Sequence, residues 1–271
     1  MPEVTDHLEL LPIAREAVAT AHRIIRARAP QSVAAKGDRD MVTDVDLAVE
    51  DAVRGFLARE TPEIGILGEE RGRTGAGGDA LWWALDPVDG TANFARGIPL
   101  CAVSLALVKG DNSVLAAIDL PFLGVHYTAA AGHGAFMGGE RIRASRTQDL
   151  SEAMISIGDF AVGPDAEPKN RVRMALLARL GGQAQRIRMI GTAAIDLAWV
   201  AQGRLDASII LANQPWDTMA GVLLVREAGG LVLDQDDTPH TATSAATIAL
   251  SPALRTPIMT ALRHSNTATQ R

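Results

Sequence analysis

The chain reads as a mixed protein in two parts, an α+β half followed by an α/β half, and three observations carry that reading. Leu10, Ala14, Ala17, Val18, Ala21 and Ile25 recur at helical spacing between about Asp6 and Ala29, and Pro30 stops the pattern. Short apolar segments punctuated by turn residues then follow one another, as strands of a sheet do. From about Leu150 strand-like and helix-like segments alternate, the pattern of an α/β layer.

Taken in order, a polar loop with Lys36 leads to Val42-Thr43-Asp44-Val45-Asp46. Leu47, Val49, Val53, Phe56 and Leu57 then keep helical spacing, which puts Asp46 in the first turn of a second helix. Ile64 to Leu67 is a short strand ending in Gly68-Glu69-Glu70, and Gly75-Ala76-Gly77-Gly78 reads as a flexible connection. Leu81 to Leu85 reads as a buried strand with Asp86 at its exit and Asp89 at a helix start. Cys101 to Val108, Val114 to Leu120, Val125 to Ala130 and Gly134 to Met137 complete an antiparallel sheet with two helices on one side. The second half predicts Met154 to Ile157, Lys169 to Leu180, Gln185 to Met189, Thr192 to Gln202, Ala207 to Leu211 and Trp216 to Ala228. The boundary falls at Thr147-Gln148-Asp149-Leu150, dividing the chain into 1–148 and 149–271.

With 271 residues, 47% of them hydrophobic, the chain can bury a substantial core. A net charge of −6 leaves no basic footprint for nucleic acid, and no apolar run reaches the roughly 18 residues of a membrane helix. The acidic N-terminus lacks the pattern of a signal peptide, so a cytoplasmic location is expected. Cys101 is the single cysteine, in an apolar segment where a buried inert thiol is expected.

The chemistry concentrates in Asp86-Pro87-Val88-Asp89-Gly90-Thr91. Two carboxylates across a Pro-fixed turn run into a helix start, where hard cations find oxygen ligands and free amides favour anions. Alone, the string could be an ordinary turn with a capping Asp. Val42 to Asp46, Gly68-Glu69-Glu70 and Trp216-Asp217-Thr218 add further acids at element ends, each with an equally dull explanation by itself. The six histidines show no metal-binding spacing, and neither a P-loop nor a nucleophile elbow is present.

In this order and spacing the segments resemble the inositol monophosphatase family of magnesium-dependent, lithium-sensitive phosphatases. The family signature reads G-E-E, then D-P-[IVL]-D-G-T-x-N-F, then W-D-x-x-[AG]. This chain has Gly68-Glu69-Glu70, Asp86 to Phe94 unbroken, and Trp216-Asp217-Thr218-Met219-Ala220. Lys36, Gly191-Thr192-Ala193-Ala194 and Glu227 to Gly230 extend the likeness over about residues 6 to 262. The resemblance implies a layered αβαβα sandwich, a homodimer and a phosphomonoesterase using Mg2+. It places one ion on Glu69, Asp86 and the carbonyl of Val88, a second on Asp86, Asp89 and Asp217, and a third, weaker one on Glu69. Thr91, hydrogen-bonded to Asp46, orients the attacking water with Glu69. Asp89, Gly90, Thr91, Gly191, Thr192, Ala193 and position 210 fall on the substrate side. Glu70 supports the ligands, and Lys36 sits on a loop that can close over them.

One position breaks the pattern. Inositol-handling members carry a glutamate seven residues before the Trp-Asp aspartate, and here that position is Ile210. An isoleucine accepts no hydroxyl, which counts against myo-inositol phosphate and suits a nucleoside or modified-sugar monophosphate, unless Ile210 only packs. Two alternatives stand beside the monophosphatase: a phosphatase of fructose 1,6-bisphosphate or a 3′-phosphoadenosine nucleotide, with Arg96, Arg186 and Arg188 as candidate contacts, and a regulatory binding protein on the same fold.

Overall fold

The computed structural model describes residues 7–37, 40–75 and 80–268. The expected helix start at Asp6, residues 76–78 of the expected flexible connection and the acidic N-terminal residues lie outside them. A 3-10 turn, Leu8–Leu10, leads into α1 (Leu11–Ala27), whose buried stripe is Ala14, Ala17, Val18, Ala21 and Ile25, as the spacing predicts.

Next come β1 (Val33–Gly37) and β2 (Asp40–Thr43), an antiparallel pair where the sequence reading has a polar loop. β1 is exposed throughout, so no burial imprints an apolar alternation on it, and Lys36 belongs to a strand. Thr43 caps α2 (Asp44–Glu60): its hydroxyl accepts from the amides of Val45 and Asp46, while Asp46 accepts from the Thr43 amide.

The first sheet holds β3 (Gly65–Gly68), β4 (Gly72–Thr74), β5 (Leu81–Asp89), β6 (Ala102–Lys109), β7 (Asn112–Leu120), β8 (Val125–Ala130), β9 (Gly134–Met137) and β10 (Glu140–Arg141). A short helix α3 (Thr91–Ala95) follows β5. The strand order is β10-β9-β8-β7-β6-β5-β3-β4. Every pairing is antiparallel except β3 with β5, so the expected antiparallel sheet is in fact mixed at that join.

The second half supplies β11 (Met154–Ile157), α4 (Ala166–Gly181), β12 (Arg186–Arg188), α5 (Ala193–Ala201), β13 (Ala207–Ile210) and α6 (Pro215–Glu227). Beyond the predicted elements it adds β14 (Leu231–Leu233), β15 (Thr247–Leu250) and α7 (Arg255–Ala268). In the order β12-β11-β13-β15-β14 the first three strands are parallel and the last two pairings antiparallel.

Three apolar clusters glue these elements into five layers. α1 and α2 bury Ala17, Val49 and Leu57 against Trp83, Leu105 and Leu115 on one face of the first sheet. On its other face, Ile195, Leu197, Met219 and Leu223 of α5 and α6 meet Ala106, Ile118 and Tyr127. Outside the second sheet, Leu176 of α4 and Ile258 of α7 close over Ile155, Ile209 and Ile248. The result is an αβαβα sandwich. Its middle layer is tight: a Cβ on Gly221 would overlap that of Leu197, so only glycine lets α5 and α6 cross there. The Ser104 and Ser113 hydroxyls donate to the carbonyls of Trp216 and Met219 at 3.1 and 2.7 Å, fixing the start of α6 against the first sheet. Among the described residues no helix is long and apolar enough to cross a membrane.

Candidate active site

β5 does not stop at Leu85. It runs on to Asp89, its pairing with β6 shifting between Asp86 and Asp89. Pro87 has no N–H for the ladder, and the Val88 amide donates to Asp86 Oδ1 at 2.9 Å instead of to a neighbouring strand. Gly90 then turns the chain with φ of 89°, a left-handed conformation that a side chain would strain, and α3 begins. Asp86 is 2% exposed and Asp89 8%. Two carboxylates are thus buried by one strand end.

Asp89 is tied to the second half of the chain. Its Oδ2 accepts from the Thr192 hydroxyl and the Ala194 amide, both at 2.6 Å. The same Thr192 hydroxyl caps α5 by accepting from the Ile195 amide at 3.2 Å. Asp217 stands in the first turn of α6, where free amides favour a carboxylate.

The acids feel one another. Burial, then the charges of Glu69, Asp89 and Asp217, push Asp86 well above the usual carboxylate range. Burial, then Asp89 and Glu69, do the same to Asp217. Asp89 is pushed up to about 6 by burial, against the opposing pull of its bonds to Thr192 and Ala194. Four acids from three places, the turn after β3, the end of β5 and the start of α6, therefore share one field. Among the described residues, no three His, Cys, Asp or Glu side chains already form a cage for an ion. Their chemistry nonetheless fits a hard divalent cation: all are oxygen donors, and the charges of neighbouring acids push Asp86, Asp89 and Asp217 up.

Lys36 reaches this cluster from β1. Its ammonium donates to Glu69 Oε1 and Glu70 Oε1, both at 2.7 Å. Burial pulls Lys36 down, but the two glutamates outweigh it and hold the ammonium above the ordinary lysine range. The Gly68-Glu69-Glu70 turn rests on Glu50, a fully buried side chain of α2 that the sequence reading does not single out. Glu50 accepts from the Glu70 and Arg71 amides at 2.8 and 3.0 Å and from Arg54 at 2.8 Å. Gly68 is glycine because a Cβ there would overlap the Glu50 carboxylate. The available signal was Glu50 and Arg54 one helical turn apart, although such pairs usually mark a solvated face.

Thr91 lies where the sequence places it. Its hydroxyl is 3.0 Å from Asp46 Oδ1 and 3.0 Å from the Val88 carbonyl. With one proton it can donate to only one of them at a time. Asp46 is buried, which raises its pKa against the hydrogen bonds from Thr43 and Thr91.

The expected substrate-side residues of the two halves meet at Gly90. A Cβ there would stand 3.3 Å from both the Gly191 carbonyl and Thr192 Cβ. Asn93 holds the junction, its amide donating to the carbonyls of Leu100 and Ile190 at 2.9 Å each. Ala193 is the first residue of α5, next to these contacts. Ile210 ends β13, half-buried, packed on the cluster between the sheets and against Gly158. Arg186 and Arg188 donate to the carbonyls of the residues just before them, Gln185 and Ile187. Asp196, a lone acid inside the apolar helix α5, also escaped the sequence reading. Cys101 is buried, and burial pushes its thiol up to about 12.

Residues 6–267 match the model of the inositol monophosphatase family. The chain is similar to a probable inositol 1-monophosphatase of Mycobacterium tuberculosis, 37% identical over 89% of this chain and 88% of that one. It also resembles a fructose-1,6-bisphosphatase/inositol-1-monophosphatase of Aquifex aeolicus, 32% identical over 74% and 75%. Among solved structures, an IMPase of Thermotoga maritima superposes with a TM-score of 0.88 at 28% identity, covering 96% of this chain and 99% of its own.

Proposed function

Because the chain belongs to the inositol monophosphatase family and is a phosphoric monoester hydrolase, we propose that it hydrolyses a small phosphorylated metabolite, a sugar, cyclitol or nucleoside monophosphate, with Mg2+. The observation that carries the reading is the shared field of Glu69, Asp86, Asp89 and Asp217 beside the start of α3. Those four side chains and the Val88 carbonyl would hold the metal. Bound Mg2+ supplies charge neutralisation and Lewis acidity to a dianionic ester.

The protein's own groups do the rest. Amides of Gly90 and Thr91, at a helix start without intrahelical acceptors, receive phosphate oxygens. Thr91, anchored by Asp46, orients a water, with Glu69 as its partner. Lys36 offsets the charge of Glu69 and Glu70, engaging one oxygen of each.

Ile210 presents no acceptor, which supports a substrate with an apolar face over myo-inositol phosphate. Family kinship also supports lithium inhibition and a homodimer. Ile98, Val162, Met174 and Met189 are large exposed apolar side chains that suit a contact between copies. We also place the boundary of the two parts at residues 148 and 149, between the last strand of the first sheet, at Arg141, and the first of the second, at Met154. Release of inorganic phosphate from a panel of monophosphates, with Mg2+ and with excess chelator, tests the function. No release from any ester, or full release in chelator, would reject it.

A further inference from the structure

Asp159 lies just past β11, where the chain keeps beside the end of β13: the Gly158 amide donates to the Ile209 carbonyl at 2.9 Å. A Cβ on Gly158 would stand 3.6 Å from Ile210 Cγ2. A Cβ on Gly191 would stand 3.7 Å from Asp159 Oδ2 and 3.4 Å from the Asn93 amide nitrogen. The Asp159 carboxylate thus borders the Gly191 turn, next to Thr192, which holds Asp89. Ile210 packs on Gly158, the residue that precedes Asp159.

This placement is braced from behind. Arg173 of α4 is 6% exposed, and its guanidinium donates to the Asp159 carbonyl at 3.1 Å and to the Leu211 carbonyl at 2.8 Å. One buried side chain therefore ties together the residues that follow β11 and β13, and fixes Asp159 relative to Ile210. The Asp159 carboxylate is exposed and accepts no hydrogen bond from the described residues. It is an oriented acceptor with nothing to accept.

We propose that Asp159, held by Arg173 beside the Gly191 turn, determines specificity by accepting hydrogen bonds from hydroxyl or ammonium groups on the non-phosphate part of the substrate and by repelling a second phosphate. The proposal rests on the phosphomonoesterase reading and refines it. The acceptor absent at 210 is supplied by another strand end, and the substrate is a monophosphate with donors on one edge and an apolar face toward Ile210. A carboxylate takes donors and excludes anions, whereas a bisphosphate site needs arginine or lysine there.

The test compares wild type with Asp159→Asn on p-nitrophenyl phosphate, glycerol 2-phosphate and fructose 1,6-bisphosphate in saturating Mg2+. Asp159 is exposed, so the variant is expected to fold, which a thermal melt checks. Expected are p-nitrophenyl phosphate kinetics within about twofold and a KM for glycerol 2-phosphate raised about tenfold at unchanged kcat. The kcat/KM ratio of bisphosphate to glycerol 2-phosphate should rise about tenfold or more. Arg173→Lys, which cannot span both carbonyls, should raise the KM for glycerol 2-phosphate while sparing p-nitrophenyl phosphate. Equal changes on all three esters, or none in Asp159→Asn, would overturn the assignment. A wild type inactive on every ester would instead overturn the phosphatase reading.

Discussion

The Thr192 hydroxyl and Asp89 Oδ2 meet at 2.6 Å although 103 residues separate them in sequence. One hydroxyl both caps α5 and donates to a buried carboxylate of β5, so the second half of the chain completes an acid that the first half buries. Thr192→Val should remove the cap and leave Asp89 short of a donor, lowering stability by about 1–3 kcal/mol in urea unfolding of chelated protein. It should also raise Asp89 further, because hydrogen bonds favour the charged form, and weaken Mg2+ binding near pH 6. Thr192→Ser should restore both, and a valine variant indistinguishable in both measurements would show the contact to be incidental.

Protons and Mg2+ should compete at the acidic cluster. Asp86 and Asp217 are raised well above the carboxylate range and Asp89 to about 6. Without metal, the folded chain therefore holds protons that the unfolded chain has lost. Stability from these groups is full below about pH 4 and is lost as pH rises through 6 and beyond. The Mg2+-induced rise in Tm should grow between pH 5.5 and 8, with proton uptake by the buffer detectable in calorimetry. Asp86→Asn should melt higher than wild type at pH 8 without metal, yet lose the Mg2+ shift and at least about a hundredfold in activity. A shift that ignores pH, or one that survives in the variant, would contradict the shared site.

Thr91 should matter for rate more than for binding. Its hydroxyl is fixed by Asp46, whose other oxygen is engaged by the Thr43 amide at 3.1 Å. Thr91→Val keeps the volume and loses the proton relay, so kcat should fall on the order of a hundredfold with KM within about twofold. Thr91→Ser should retain most activity. A valine variant changed mainly in KM would move Thr91 from the chemistry to substrate holding.

The candidate site was legible because element ends leave sequence punctuation: Asp86 to Thr91 combines Pro, Gly and acids, and Thr43 with Asp46 forms a capping box at the start of α2. Strand limits were not, because β5 carries its acids inside the ladder, where Pro87 reads as a stop. β14 and β15 are three and four residues long and flank a turn-rich stretch, too short to declare a period. Glu50, Asp159 and Arg173 gain meaning only from partners distant in sequence. A glutamate on an amphipathic helix, an acid after a strand and an arginine in a helix all read as solvated until the layers stack.

Asp196 shows what the sandwich leaves unresolved electrostatically. It is 2% exposed, its Oδ1 finds no hydrogen-bond partner among the described residues, and the Ser208 hydroxyl is likewise buried and unpartnered. Burial pushes it up to about 8, against the pull of Ser156 and with the help of Asp89 and Asp159. Since the folded pKa exceeds the unfolded one, its contribution to stability is full below about pH 4 and is lost as pH rises toward 8. Asp196→Asn has no proton to lose and offers donors to hydroxyl oxygens nearby. It should change stability little at pH 5 and raise it by on the order of 1–3 kcal/mol at pH 9, read from urea midpoints in chelator. An equal effect at both pH values would mean that Asp196 ionises at the same pH in the folded and unfolded chains. A loss of stability at pH 9 would mean that the buried carboxylate is charged and solvated there, and that water reaches the layer between the sheets.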